Sequence, residues 1–255
     1  MKTLYYNKLP VKVYDTNQSL GEAAALDLGN ILKDHIAASG QAAVIFATGN
    51  SQLSFFRALR QLEGLLWNKV TIFHMDEYLG MKASHPASFR RYLHEKIVDF
   101  IHLENFFGIE GDTLNIEAEL TRYESLLQDY RPVACVLGIG ENGHLAFNDP
   151  PADFKSKNDI QVVELAQSAR QQQVGEGQFV SLEDVPKQAI TLTIPTLLRP
   201  RHVLAVVPES RKAHAVKAAL EGPISPDCPA SILQSQDHVA LYLDQESASL
   251  LDLPG

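Results

Sequence analysis

The chain has 255 residues, of which 45% are hydrophobic and 21% charged, and this composition suits one large globular domain with a sizeable core. The formal net charge of −9 argues against nucleic acid and anionic membranes as partners, so an anionic ligand would have to meet basic groups or a helix N-terminus locally. No stretch approaches the ~20 apolar residues that cross a bilayer, and Cys135 and Cys228 form no metal-binding pair, so we expect a cytoplasmic protein with reduced thiols.

Apolar runs alternate with helical patterns along the chain. Because these runs are apolar throughout, they indicate a mostly parallel sheet that helices cover on both faces, an α/β fold. There is no repeat and no linker, so we predict a single domain over 1–255. The predicted strands are 44–47, 70–75, 133–138, 202–207 and 239–243, and the predicted helices include 53–59 and 210–220.

The stretch 153–186 is the most open part of the sequence. It contains three successive glutamines at 171–173, then Gly175 and Gly177, and few large apolar residues. Two interpretations stay open for it. It is either a mobile lid over a site or an ordinary connection that contains one helix.

Three polar clusters follow predicted strands, at 48–52, 76–79 and 138–149. In open parallel sheets, ligands bind outside the carboxyl ends of the strands. The sequence therefore predicts a binding site where these three clusters meet.

The first cluster contains Thr48, Gly49, Asn50 and Ser51 between a strand and a helix. Small and hydroxylated residues expose backbone N–H groups there, which suits a phosphate. A plain turn with Ser51 as helix cap would look similar. No Gly-Lys-Ser/Thr follows, so the cluster is not a P-loop.

The third cluster begins with Gly-Ile-Gly-Glu-Asn-Gly at 138–143, which matches a dinucleotide-binding pattern. Such a site needs a helix to start in the loop, but Pro150 and Pro151 follow too closely for that. We therefore expect no dinucleotide cofactor. A glycine-rich loop that brings backbone close to a ligand and presents His144 fits better.

His144 lies near two carboxylates, Glu141 and Asp149. A carboxylate beside an imidazole fixes its tautomer and raises its basicity, as acid–base catalysis requires, although a lone histidine is more often structural. In the second cluster, Asp76 and Glu77 directly follow a strand. Adjacent residues there cannot both face one ligand, so we expect one to act and the other to be held elsewhere; a solvated turn is the alternative.

Taken together, these clusters resemble the glucosamine-6-phosphate deaminase family, which also includes 6-phosphogluconolactonases. Met-Asp-Glu-Tyr at 75–78 and Gly-His-Leu-Ala-Phe-Asn-Asp-Pro at 143–150 are specific in combination, and Tyr78 is deaminase-like. The resemblance implies a Rossmann-like open sheet of the sugar-phosphate isomerase type. The matching segments appear in family order and cover nearly the whole chain: 47–51, 75–80, 85–89, 138–150, 185–193 and 210–213.

The resemblance also implies roles for single residues. Asp76 matches the base that moves a proton between C2 and C1 of an open-chain amino-sugar phosphate, and His144 matches the residue that opens the ring. Asp149 stands where the family usually has a supporting glutamate. Thr48, Gly49, Asn50, Ser51 and Lys212 fall at phosphate-binding positions. The implied reaction needs neither a metal nor an organic cofactor.

Two departures from the family pattern concern the same site. Asn142 replaces an aspartate that cooperates with the histidine, and an amide can orient the ring but cannot stabilise an imidazolium by charge. Glu141 could substitute only if the loop aimed it inward. The arginine that the family's lid carries to the phosphate is also missing. Either Arg170 takes over, or phosphate binding rests on Lys212 and the loop 48–51.

Three functions are consistent with these residues. The first is an isomerising deaminase acting on glucosamine 6-phosphate or a close epimer, with the sugar phosphate as its partner and a homo-oligomer as a possible assembly. The second is a 6-phosphogluconolactonase, in which His144 would activate water. The third is a non-catalytic sugar-phosphate sensor, which would not need Asp76, His144 and Asp149 together.

Overall fold

Two β-sheets form the framework in a computed structural model that describes residues 1–175 and 177–252. The larger has eight strands and the smaller three. The strands in chain order are β1 (Lys2–Tyr6), β2 (Leu9–Tyr14), β3 (Ala42–Phe46), β4 (Val70–His74), β5 (Asp76–Tyr78), β6 (Asn105–Phe107), β7 (Ala134–Leu137), β8 (Ile160–Glu164), β9 (Gln188–Leu192), β10 (His202–Val207) and β11 (Val239–Asp244). The helices are α1 (Asn17–Ser39), α2 (Leu53–Leu59), α3 (Phe89–Lys96), α4 (Ile116–Tyr130), α5 (Gln167–Gly175), α6 (Ile194–Leu197) and α7 (Ala213–Glu221).

The larger sheet has the strand order β1-β2-β11-β10-β7-β3-β4-β6, and every neighbouring pair except β1–β2 is parallel. Its central strands are buried on both faces, as β3 shows. Val44 and Phe46 pack with α1, α2 and α3, while Ala43 and Ile45 pack on the other face with α4 and α7. Burial of alternate residues on both faces explains the continuous apolar runs.

The predicted α/β fold, with a mostly parallel sheet and helices on both faces, is confirmed. The five predicted strands correspond to β3, β4, β7, β10 and β11. The helix predicted at 210–220 has a 3-10 turn at Ser210–Lys212 before α7 begins at Ala213. Within the described residues, no helix is long and apolar enough to cross a membrane.

The smaller sheet, with antiparallel order β5-β9-β8, was not predicted. Asp76 and Glu77 form a strand although carboxylates are poor strand formers, because β9 supplies the pairing partners Thr191 and Ile190. This sheet lies beside the carboxyl end of β4, from which it is separated by Met75 alone.

The described part of the stretch 153–186 contains β8, the helix α5 and a 3-10 turn at Leu182–Asp184. It packs on the rest of the molecule through Phe179, whose ring lies 5.5 Å from that of Tyr78 and 6.0 Å from that of His85. It is therefore a connection with a strand and a helix, and its mobility as a lid stays a prediction.

Candidate functional site

One cavity lies at the carboxyl ends of the strands, where the three polar clusters meet as predicted. The predicted residues that line it are Thr48, Gly49, Asn50, Ser51, Asp76, His144 and Lys212. Five further polar residues line it that the sequence did not single out as site residues: Ser88, Tyr92, Gln173, Gln178 and Arg211.

The loop after β3 is held in one conformation by contacts to its own backbone. Gly49 has a φ of +99°, which an L-residue with a side chain rarely adopts. Its carbonyl oxygen accepts hydrogen bonds from the Tyr92 hydroxyl at 2.7 Å and from the Gln52 N–H at 3.1 Å. Because this carbonyl is turned towards Tyr92 and Gln52, the loop is fixed while Asn50 and Ser51 line the cavity.

Asp76 lies on β5 and is only 7% exposed, yet it lines the cavity. Among residues 1–175 and 177–252, nothing donates a hydrogen bond to its Oδ1 atom. Burial, and next the charge of the neighbouring Glu77, raise the pKa of Asp76 to about 8. The group therefore carries a proton near neutral pH and can both accept and give one there.

Glu77 points to the other side of β5 and is fully buried. Its carboxylate accepts hydrogen bonds from the Ser88 hydroxyl at 2.7 Å and from the N–H groups of Arg90 at 3.1 Å and Phe89 at 3.2 Å, at the start of α3. Burial raises the pKa of Glu77 and these hydrogen bonds oppose the rise. One carboxylate thus lines the cavity and the other is held away from it, which agrees with the sequence-based expectation that the two do not face one ligand; that Glu77 caps a helix was not predicted.

His144 lies directly against Gly140. A Cβ atom on Gly140 would be 2.2–2.4 Å from the atoms of the His144 ring, so only glycine fits there. The turn is closed by the Gly140 N–H, which donates to the His144 carbonyl oxygen at 3.0 Å. The glycine-rich loop thus makes room for the imidazole, and no helix starts in it.

Asp149 lies beside the imidazole, and Asn142 holds both Asp149 and the backbone of His144. The Nδ1 atom of His144 lies 3.3 Å from Oδ1 of Asp149, in ion-pair contact although not aligned as a hydrogen bond. The Asn142 side chain donates to the same Oδ1 at 3.0 Å and accepts the His144 N–H at 3.0 Å. Burial raises the pKa of Asp149, but His144, Asn142 and the Ala166 N–H together outweigh burial and lower it. Asp149 is therefore an anion beside the ring.

The cavity thus combines a protonatable buried carboxyl, an imidazole backed by a carboxylate, and a tight loop with a lysine. A sequence profile of the family described as glucosamine-6-phosphate isomerases/6-phosphogluconolactonase matches residues 15–242. The chain belongs to this family.

Similar proteins in the isomerase/lactonase family agree with this result. A glucosamine-6-phosphate deaminase of Exiguobacterium sibiricum is 38% identical over 80% of this chain and 79% of its own. One from Streptococcus pyogenes is 34% identical over 87% of this chain and 92% of its own. A monomeric glucosamine-6-phosphate deaminase of known structure has a TM-score of 0.86 at 33% identity, covering 94% of this chain and 99% of that one. A 6-phosphogluconolactonase from Shewanella baltica has a TM-score of 0.75 at 19% identity over 92% of this chain and 97% of its own, and shows the fold alone.

Against this family pattern, the structure shows where the departing residues lie. Asn142 does not touch the imidazole ring, since its amide joins the His144 backbone to Asp149. Glu141 does not turn inward; its carboxylate is 44% exposed and lies 3.6 Å from the guanidinium of Arg211. The charge beside the imidazole therefore comes from Asp149.

The structure does not bring Arg170 to the cavity, contrary to one of the two alternatives predicted for it. Its guanidinium donates to the carbonyl oxygens of Leu182 and Val185, the latter at 3.0 Å, and so ties α5 to the turn that follows it. The hydrogen bonds of this guanidinium to the two carbonyl oxygens hold it within the chain and away from a phosphate in the cavity. The other alternative, with Lys212 and the loop 48–51, fits the observed geometry.

Arg211 is the basic group that sequence reasoning missed. It follows Ser210 in a segment that matched the family, but only the neighbouring Lys212 was taken as a site residue. Both residues line the cavity, although Lys212 is only 4% exposed. The Nε atom of Arg211 donates to Oε2 of Glu209 at 2.6 Å. Because the 3-10 turn at Ser210–Lys212 places consecutive residues on different sides, a helix pattern gave no sign that both line the cavity.

Proposed function

We propose that this chain converts glucosamine 6-phosphate and water into fructose 6-phosphate and ammonia. The observation that carries the proposal is one cavity that is lined by Asp76, by His144 with Asp149 behind it, and by the loop 48–51 with Lys212. An aldose–ketose isomerisation needs a buried acid–base group, ring opening needs a second one, and the phosphate needs cations and hydrogen-bond donors.

Ring opening is assigned to His144. Its Nδ1 faces Asp149, so the other ring nitrogen, Nε2, is the one that can exchange a proton with the ring oxygen O5 of the sugar. The anionic Asp149 stabilises the imidazolium that forms when Nε2 takes up a proton. Asn142 fixes both partners, because it bonds to the His144 backbone and to Asp149.

Proton transfer is assigned to Asp76. With a pKa raised to about 8 by burial and by Glu77, the free carboxyl is largely protonated near neutral pH. The ammonium group at C2 of the substrate would lower that pKa and leave a carboxylate, which takes the C2 proton and delivers it to C1. The product is an imine at C2. Water then adds at C2 and ammonia leaves, which gives the ketose.

Hydrolysis of a 6-phosphogluconolactone would use the same phosphate site but no proton transfer at C2. Among the described residues, Oδ1 of the buried Asp76 has no hydrogen-bond donor, which lowers the stability of the fold. Lactone hydrolysis does not require such a carboxyl group. A sensor would have no task for Asp76 or for the ion pair of His144 with Asp149 either.

A coupled assay for ammonia and fructose 6-phosphate tests the proposal directly. The wild-type chain should release both from millimolar glucosamine 6-phosphate. Asp76→Asn should abolish the exchange of the C2 proton with solvent deuterium and lower kcat by about 100-fold or more, while binding remains. Lactone hydrolysis without ammonia would overturn the proposal, and undiminished exchange in Asp76→Asn would remove Asp76 from its role.

The cellular setting of the reaction is proposed on one further observation. Cys135 and Cys228 are both free thiols, which suits the reducing cytoplasm.

A further inference from the structure

Gln52 is a fully buried polar side chain directly behind the loop 48–51. Its Nε2 atom donates to the Ser51 hydroxyl oxygen at 3.0 Å and to the Val206 carbonyl oxygen at 3.2 Å. Over the described residues, its Oε1 atom has no hydrogen-bond partner. A buried acceptor without a donor lowers stability, so a fully apolar side chain of the same size would pack at less cost.

The orientation of the Gln52 amide follows from Val206. Exchanging Nε2 and Oε1 would place two carbonyl oxygens 3.2 Å apart, which is repulsive, so the NH₂ group must face Val206 and Ser51. The Ser51 oxygen therefore accepts a hydrogen bond from Gln52. Its own hydrogen is left to donate to a group in the cavity that Ser51 lines.

Gly138 provides the space for this arrangement. A Cβ atom there would lie 3.3 Å from Nε2 of Gln52 and 3.5 Å from Oγ of Ser51, which is tight for the first pair. The first glycine of the loop after β7 thus lets the amide and the hydroxyl approach the neighbouring strand β10, on which Val206 lies.

We propose that Gln52 is a positioning residue that fixes the Ser51 hydroxyl as a hydrogen-bond donor towards an oxyanion of the substrate. Under the proposed function, on which this inference rests, that oxyanion is the phosphate. A hydroxyl that cannot turn its hydrogen away binds an anion with less loss of rotational freedom than a free one. The unpartnered Oε1 atom of Gln52 lowers the stability of the fold. In return, the Ser51 hydroxyl is fixed as a donor and binds the substrate more tightly.

The test is a double-mutant cycle with Ser51→Ala and Gln52→Met. Ser51→Ala should raise KM for glucosamine 6-phosphate about tenfold to a hundredfold, as expected for a lost hydrogen bond to a charged group. Gln52→Met should raise KM about threefold to tenfold with kcat nearly unchanged, and its thermal midpoint should be equal to or above that of wild type. In the Ser51→Ala background, Gln52→Met should add nothing.

Two further variants sharpen the cycle. Gln52→Glu keeps the shape, and its carboxyl can only accept once it is ionised, so the KM of this variant relative to wild type should rise with pH as the buried carboxyl loses its proton and Ser51 donates to it. Gln61→Met, at an exposed position after α2, controls for the exchange of glutamine for methionine. The proposal is overturned if Gln52→Met keeps the wild-type KM, or if it raises KM equally with and without Ser51.

The cycle remains informative if the proposed function fails. A wild-type chain that releases no ammonia defeats that function before any variant is made. The same variants can then be titrated with inorganic phosphate, followed by thermal shift. Weaker phosphate binding in Gln52→Met, absent in the Ser51→Ala background, supports the role of Gln52, whereas equal binding by wild type and Gln52→Met overturns it.

Discussion

Asp76 and Glu77 are adjacent carboxyl groups in opposite electrostatic surroundings. Glu77 accepts hydrogen bonds from Ser88 and from two N–H groups at the start of α3, whereas Oδ1 of Asp76 has no donor among the residues described. Burial raises the pKa of both carboxyl groups, and at Glu77 these hydrogen bonds oppose the rise. The alternation of side chains along β5 sends one to the cavity and the other to α3.

The raised pKa of Asp76 makes stability depend on pH in a predictable direction. The unfolded carboxyl titrates near its ordinary value of 3.8 and the folded one near 8, so between these values the folded state holds the additional proton. Stability must therefore fall as pH rises through that window, by at most about 1.4 kcal/mol per pH unit. Asp76→Asn removes this loss, so its thermal midpoint should exceed that of wild type much more at pH 8.5 than at pH 5.

The matched control for a lost carboxylate is Asp129→Asn, at an exposed position of α4. Its thermal midpoint should differ from that of wild type by a similar small amount at both pH values. Equal differences at pH 5 and pH 8.5 for Asp76→Asn would mean that the folded and unfolded carboxyls titrate alike, and would contradict the effect of burial on Asp76.

At the scale of elements, α5 and the turn after it form one wall of the cavity. Gln173 and Gln178 line the cavity from this wall, and Phe179 anchors it on Tyr78. Arg170 links α5 to the carbonyls of Leu182 and Val185, and the Val185 side chain is buried. Among the described residues, the wall packs on the cluster around Tyr78 through Val174, Phe179 and Val185, and Arg170 joins its two parts.

Arg170→Gln should loosen this wall without removing a phosphate ligand. We expect faster amide exchange in 167–175 and 177–186, and KM for the sugar phosphate raised only about twofold to fivefold, because Arg170 contributes through the wall. Hydrogen-exchange mass spectrometry and steady-state kinetics measure the two effects, with Arg57→Gln on α2 as the control at an exposed arginine. A KM raised about tenfold or more with unchanged exchange would instead place Arg170 on the phosphate.

At the scale of the whole molecule, the sequence predicted what local pattern determines. Continuous apolar runs identified β3 and β10, because strands buried on both faces need them. Asp76 and His144 were located because polar residues at strand ends meet at one edge of a parallel sheet. β5 was missed because its pairing with β9, more than 100 residues away, is a tertiary contact with no local signal.

The two sheets contribute different halves of the site, so a ligand that fills one half should protect only the segments of that half from amide exchange. The loop 48–51 and Lys212 follow strands of the larger sheet, whereas Asp76 belongs to the smaller one. In Asp76→Asn, which should bind without turnover, inorganic phosphate should slow amide exchange in 47–52 and 210–213 alone. Glucosamine 6-phosphate should also slow it in 138–146, since the sugar extends to His144.

Each ligand at 100 times its Kd should stabilise the fold by about 2.7 kcal/mol, so differences in the location of protection cannot come from differences in occupancy. Protection of 138–146 by phosphate alone, at matched occupancy, would show that the phosphate binds nearer to His144 than the loop 48–51 allows.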